Sequence, residues 1–407
     1  MADYFDFIVK CIISLFQNVF FKSTSQINIG ELIMKVDFYK HNLSEIEINE
    51  VSKVLNSIFL TTGPLTKQFE DSFSKFLGVS HTIGVTSCTA ALFLSLKALG
   101  IGDGDEVITT PMTFIATPNT ILHAGAKPVF VDVEPETGNI NVELIEKSIS
   151  KKTKAIIPVH LYGQMCDMKK LHQIAKDHDL FIIEDSAHCI EGSRDGIKPG
   201  QLGDLACFSF YATKNMTSGE GGAIATNSQE SDDILRKMRL HGMSKSSIDR
   251  YTSLYHHWDM ELLGYKYNMF DIQAALLLNQ LKMIEERLQR KEEICQKYMK
   301  AFSKMDGIDF PKTLPNSKHA RHLFTVWVKP GQRDHILHEL QKAGIGVAVN
   351  FRAVHLLTYY QETFHYKRGD FPIAENIGDR TISIPMYPKM TDEEIDYVIS
   401  QVKKIVT

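Results

Sequence analysis

The 407-residue chain is poor in cysteine and tryptophan, with six of the first and two of the second. Cys11, Cys88, Cys166, Cys189, Cys207 and Cys295 never fall at C-x-x-C spacing, which excludes a zinc ribbon and a dithiol redox motif. They read as reduced, mostly buried thiols of a cytoplasmic enzyme. Charge of one sign is lacking too. With 45 basic and 49 acidic residues the net charge is −4, so nothing global favours nucleic acid, although local positive sites can hold an acidic substrate. Internal repeats, low-complexity tracts and long charge runs are absent. What remains is ordinary globular composition, 43% hydrophobic and 23% charged, which excludes disorder, collagen and a disulfide scaffold. The length sets an expectation of two or three folding units with a sizeable core.

An uninterrupted apolar run is also missing. The most apolar stretch, Phe7 to Phe21, is broken by Lys10, Gln17 and Asn18. It is shorter than the roughly 20 residues that span a bilayer, and it lacks the charged start and small-residue cleavage site of a secretory signal. Three readings stand: an interfacial membrane anchor, a helix packed on the body or a partner, or an extension upstream of a start at Met34.

Beyond it, a helical rhythm from Ser44 to Leu60 runs into the turn signal Thr61-Thr62-Gly63-Pro64, and Leu65–Leu77 is amphipathic. From His81 to Thr226 the runs HTIGV, DEVITT, KPVFVDV, KAIIPV, LFIIED, LACFSF and GAIAT read as strands. Helices near Thr89–Leu99, Pro118–His123, Val142–Ser148 and Met168–Asp177 lie between them. Strands apolar on both faces and joined by helices imply an α/β fold with a mainly parallel sheet covered on both sides. Such folds bind ligands beyond the carboxyl ends of their strands. The last third predicts a long helix from Asp271 to Phe302, strands HLFTVWVK and GVAVNF with a helix between, and a final helix from Asp392. It reads as a smaller α+β domain.

Three strand ends carry chemistry. After HTIGV, Thr86-Ser87-Cys88-Thr89 opens a helix, which is either a plain N-cap or a phosphate cup. After LFIIE, Asp185 is either a helix cap or an acid aimed at the cleft. After LACFSF, Lys214 precedes the glycine-rich turn Gly219-Glu220-Gly221-Gly222, and alone it would read as a solvated loop lysine. Together they are what pyridoxal phosphate needs: donors for its phosphate, a carboxylate for its ring nitrogen and an amine for its aldehyde.

The segments TSCTAAL, PMTFIAT, KAIIPVHLYGQMCDM, IEDSAH, FSFYATKNMTSGEGGAI, LHGM and GYKYNMFDIQAAL follow one another as in the DegT-type nucleotide-sugar aminotransferases of pyridoxal-phosphate fold type I. The resemblance runs from about Val36 to the C-terminus. ATKNMTSGEGG, GYKYN and NFRAVHLLTYY resemble most the branch that forms UDP-4-amino-4-deoxy-L-arabinose. The resemblance implies a fold type I α/β aminotransferase, with a mainly parallel mixed sheet in the large domain and a smaller α+β C-terminal domain. The expected parts are an apolar extension (1–35), a segment contributing to the small domain (36–62), a large cofactor domain (63–280) and the small domain (281–407).

It also implies roles. Lys214 would hold the cofactor's aldehyde and move protons, Asp185 would face the ring nitrogen, and His188 the phenolic oxygen. Phe114 would stack on the ring, and Ser87, Cys88 and Ser209 would meet the phosphate. Relatives add an asparagine from the second subunit of a homodimer; in GYKYN either Lys266 or Asn268 takes that place. Offshoots with a regulatory or dehydratase role carry histidine where this chain has Lys214, so transamination is favoured. The expected substrates are L-glutamate and a nucleotide-diphosphate 4-keto sugar destined for a cell-surface polysaccharide. Arg352, His355 and His322 either bind the diphosphate or form a structural strand end. Rival readings are a 3-keto-sugar aminotransferase, a sugar dehydratase and a non-catalytic regulator. No catalytic metal is expected: His160, Cys166 and His172 are too far apart for a local ligand set, and His256-His257 lacks partners.

Overall fold

The computed structural model describes residues 34–244 and 257–406; the apolar stretch before Met34 and Cys11 lie outside them. Helix α1 (Glu45–Leu55) starts on a Ser44–Glu47 capping box and stops at Asn56, whose side chain bonds the Ser52 carbonyl. It therefore ends before Ile58 and Leu60, which the sequence pattern had included and which are exposed. Helix α2 (Pro64–Leu77) has proline in its first turn and left-handed Gly78 at its end. Asp271 closes its start from 205–208 residues away, accepting from the N–H groups of Gly63 and Thr66 at 2.9 Å and of Leu65 at 3.2 Å.

The strands follow the sequence pattern: β1 (His81–Val85), β2 (Glu106–Thr109), β3 (Lys127–Phe130), β4 (Thr153–Ile156), β5 (Phe181–Asp185), the short β6 (Ser193–Arg194), β7 (Leu205–Ser209) and β8 (Gly222–Thr226). All but β6 form one sheet in the order β1-β8-β7-β5-β4-β2-β3, in which only β8 runs against its neighbours. One face is covered by α3 (Cys88–Ala98), whose Ala91, Leu92 and Leu94 pack on Ile83, Ile183, Cys207 and Ile224. On the other, Phe69, Phe73 and Leu77 of α2 meet Phe208, Phe210 and Ala223. Helices α4 (Ala116–Ala124), α5 (Met168–His178) and α6 (Gln229–Met238) complete this α/β body. The stretch Val142–Ser148, read as one helix, is two 3-10 turns.

The long helix expected from Asp271 is two, α7 (Asp271–Lys282) and α8 (Ile284–Phe302), with Met283 ending one and starting the other. Strands β9 (Ile308–Asp309), β11 (Phe324–Val328) and β12 (Thr381–Ile384) form an antiparallel sheet, while β10 (Ser317–Lys318) pairs with β6. Helices α9 (Arg333–Lys342), α10 (Thr358–Phe364), α11 (Pro372–Arg380) and α12 (Asp392–Val406) finish the chain. The expected strand GVAVNF is not one; within it only Ala348 makes an isolated bridge, to Ser383, and Ile345 just before it bridges Val36. A second core gathers Val36, Tyr298, Phe302, Val326, Ile382 and Val398, so Val36 packs with the C-terminal elements. Nearby α1 instead lies along α7, where Asn279 bonds Glu47 at 2.7 Å.

Candidate active site

The reversed strand brings the chemistry together. Because β8 is antiparallel, its first residue, Gly222, pairs with the last residues of both neighbours, Val85 of β1 and Ser209 of β7. A Cβ on Gly222 would sit 2.4 Å from the Ser87 carbonyl carbon and 2.6 Å from the Cys88 nitrogen. Only glycine lets the start of α3 close over the sheet edge there. Ser87 caps α3 by accepting from Ala90 N–H at 3.0 Å, and Ser209 Oγ accepts from Tyr211 N–H at 3.3 Å. Each hydroxyl proton is thus free for an acceptor beside the open N–H groups of the helix start. Burial raises the Cys88 thiol well above its ordinary range, so it adds no negative charge to the cup.

Asp185 ends β5. Its Oδ2 accepts from the Thr117 hydroxyl at 2.7 Å and its Oδ1 from Ala187 N–H at 3.2 Å. Burial raises this carboxyl, opposed by those hydrogen bonds and by the charges of Lys214 and His160. It makes no ion pair among the described residues. A buried carboxylate served only by neutral donors is a place for a cation. Behind it, His160 Nε2 lies 2.8 Å from Glu184 in a fully buried pair, which explains that histidine without a metal.

Lys214 stands half-buried on the turn after β7. Its N–H donates to the Tyr211 carbonyl at 2.9 Å, and its carbonyl accepts from the Tyr39 hydroxyl at 3.2 Å. Desolvation pushes its ammonium down to about 8 against the pull of Asp185. His188 Nδ1 accepts from Tyr162 N–H at 3.3 Å, and its ring lies 4.3 Å from that of His322 and 5.8 Å from Phe351. Burial, reinforced by Lys214 and Lys291, pushes both histidines well below their ordinary range, so both are neutral. Phe114 is 57% exposed with its ring 5.9 Å from Phe351, leaving an aromatic face open.

The structure thus assembles Ser87, Cys88, Ser209, Asp185, Lys214, His188 and His322, with Phe114 at the rim. The set fits pyridoxal phosphate: a cup with spare donors, an uncompensated buried carboxylate and an amine of lowered basicity. Asn268 belongs beside the cup, since its backbone bridges Val85, and its amide donates to Thr62 Oγ1 at 2.7 Å. Lys266 is exposed. Arg352 is exposed and makes no ion pair or hydrogen bond with another described residue.

His355 is not brought to the cleft. A 3-10 turn, Val354–Leu356, rotates it inward, where Nε2 meets Glu375 at 3.0 Å and the ring packs on Phe371 at 4.8 Å. Sequence reasoning missed Thr117, Tyr39, Asn215, Glu191 and Lys291. Of these, Thr117 and Asn215 carried a signal, by lying within PMTFIAT and FSFYATKNMTSGEGGAI. Among the described residues there is no cluster able to hold a metal, and no helix is long and apolar enough to cross a membrane. The five described cysteines are free and buried.

Comparison with known proteins identifies a family. The profile of the DegT/DnrJ/EryC1/StrS aminotransferase family matches residues 41–403. Spore coat polysaccharide biosynthesis protein SpsC of Bacillus subtilis is 46% identical over 366 residues, 88% of this chain and 94% of SpsC. The uncharacterized protein MJ1066 of Methanocaldococcus jannaschii is 47% identical over 371 residues, 90% of this chain and 96% of its own. Among solved structures, the sugar aminotransferase Spr1654 of Streptococcus pneumoniae superposes with a TM-score of 0.87 at 33% identity, covering 91% of this chain and 99% of that one. Helicobacter pylori PseC, an aminotransferase of pseudoaminic acid biosynthesis, gives 0.86 at 29% identity, covering 92% and 99%.

Proposed function

The chain belongs to the DegT/DnrJ/EryC1/StrS aminotransferase family and is a pyridoxal-phosphate-dependent sugar aminotransferase, and from that premise we propose its reaction. It converts a nucleotide-diphosphate 4-keto sugar to the 4-amino sugar, with L-glutamate as donor, for a cell-surface polysaccharide. The finer reading is a UDP-linked 4-keto pentose. The observation that carries the reading is the convergence of Lys214, Asp185 and the Ser87–Ser209 cup around Gly222. The name of SpsC supports a polysaccharide product.

The cofactor, when bound, supplies the electron sink through which an amino group leaves one carbon and joins another. The protein supplies the rest. Lys214 Nζ, with its lowered basicity, takes a proton from one carbon and returns it to another near neutral pH. Asp185, aimed by Thr117, would hold the cofactor's ring nitrogen and supply negative charge to it. His188 would offer its Nε2–H to the cofactor, and Phe114 would stack on its ring. Ser87, Cys88 and Ser209 would hold the phosphate, with Asn268 or Lys266 completing the cup. At the rim the unengaged guanidinium of Arg352 suits a diphosphate, with His322 deeper in. We place the enzyme in the cytoplasm as a homodimer. Exposed Ile46, Ile48 and Leu55 on α1 support a covering partner. The division into 36–62, 63–280 and 281–407 is part of the same proposal; the core shared by Val36 and Tyr298 supports it at the start of 36–62, while α1 packs on α7 of the large domain.

The test is a panel of UDP-4-keto-arabinose, UDP-4-keto-6-deoxy-GlcNAc and GDP- and dTDP-4-keto-6-deoxy-hexoses, with glutamate and products read by mass. Gain of an amine on the UDP-pentose supports the finer reading. Loss of oxygen without an amine refutes transamination.

A further inference from the structure

Asn215, the residue after Lys214, is gripped on every side. Its amide nitrogen donates to the two carboxylate oxygens of Glu191 at 2.8 and 2.9 Å and to the Ala320 carbonyl at 2.8 Å. Its amide oxygen accepts from Lys291 Nζ at 2.8 Å and lies 3.3 Å from His322 Nδ1. Lys291 also reaches the His322 carbonyl at 3.3 Å. A carboxylate at one end of the amide and an ammonium at the other permit one orientation only.

Glu191, Lys291 and His322 are all buried. Burial drives Glu191 up and Lys291 down, each toward its neutral form, and each is opposed by the charge of the other. The charge of each member therefore depends on the presence of the other. With Asn215 oriented, the neutral His322 must turn Nδ1–H toward the amide oxygen. Its Nε2 is left as an acceptor beside the ring of His188. The three anchors come from the loop after β5, from α8 and from the segment before β11, while Asn215 belongs to the loop of Lys214.

We propose that Asn215, clamped between Glu191 and Lys291, is a positioning residue that fixes the loop of Lys214 and sets the tautomer of His322. The inference rests on the reading of Lys214 as the cofactor-bearing amine.

The decisive variant is the double Glu191→Gln/Lys291→Met. It removes both buried charges together, so it strands neither, while a single change strands one. Melting temperature, turnover and KM are measured on the holoenzyme. In the cofactor-free protein, the pH midpoint for acylation of Lys214 is read by peptide mass spectrometry. The double variant is expected to melt close to the wild type, lose about tenfold or more in turnover at unchanged KM, and show a Lys214 midpoint moved up as the loosened loop hydrates. Lys291→Arg, which keeps the donor, is expected to retain turnover. Asn215→Ala should reproduce the shifted midpoint even if the double variant does not fold. Wild-type turnover and an unmoved midpoint in a folded double variant overturn the proposal, as does an unmoved midpoint in Asn215→Ala. A wild type without a glutamate half-reaction defeats the aminotransferase reading instead, and the labelling midpoints still decide the clamp.

Discussion

The backbone N–H of Tyr162 lies 3.3 Å from Nδ1 of His188, and this one contact decides which nitrogen of the ring carries the proton. Tyr162 holds that position with a left-handed backbone (φ 58°) and a hydroxyl bonded to the Asn350 carbonyl at 2.6 Å. An N–H can only donate, so Nδ1 is the acceptor and Nε2 bears hydrogen. Nitrogen NMR of histidine-labelled protein is expected to show His188 neutral, as the Nε2–H form, through pH 6.5 and protonating only well below it. A His188 signal titrating near pH 6.5 would contradict it.

Lys214 makes a linkage prediction. Its folded-state pKa is lowered from 10.5 to about 8, so the unfolded chain binds more protons between those values. Stability must then rise with pH across that window, and the cost of burying the ammonium is full below about pH 8. The cofactor-free Lys214→Met protein should be more stable than wild type at pH 7, by an amount on the order of 2 kcal/mol. Denaturant titrations should show the gap closing toward pH 10.5. The same variant should lose the glutamate half-reaction entirely.

Gly222→Ala puts a methyl group into backbone atoms of Ser87 and Cys88, which cannot swing aside as a side chain can. The start of α3 must lift from β8. The expected cost is about 1–3 kcal/mol of stability, with a weakening of cofactor binding of about tenfold or more in fluorescence titration. Unchanged affinity would mean that the cup lies elsewhere.

Arg352 and His355 separate cleanly. Arg352→Ala should raise KM for the sugar nucleotide by roughly tenfold, as expected for lost charge-assisted hydrogen bonds, and leave the glutamate half-reaction intact. His355→Ala should instead lower the melting temperature, because it removes one hydrogen bond to Glu375, which keeps those from the Gly369 and Phe371 N–H groups, and opens a cavity beside Phe371, with KM little changed.

Much of this was legible because the physics was local. A strand buried on both faces is a continuous apolar run, so β1, β5, β7 and β8 could be read directly, and Asp185 and Lys214 stood at their ends. What was hidden depends on distance along the chain. Tyr39 meets Lys214 across 175 residues and Lys291 meets Asn215 across 76, with no periodic pattern to announce either. His355 misled because its neighbour Arg352 does lie at the surface, and a single 3-10 turn separates outward from inward. The break at Met283 had no proline or glycine to mark it.

The hairpin that joins β7 to β8 has a consequence of its own. Both feet of the loop bearing Lys214 are held in the sheet by the Ser209–Gly222 pairing, and its middle by the bonds to the Lys214 backbone and the Asn215 side chain. The Lys214 side chain makes none of these bonds, so it is exchangeable without disturbing what encloses it. The architecture does not need the amine in order to form, and the chemistry of this cleft is written at one codon on a page that stays bound.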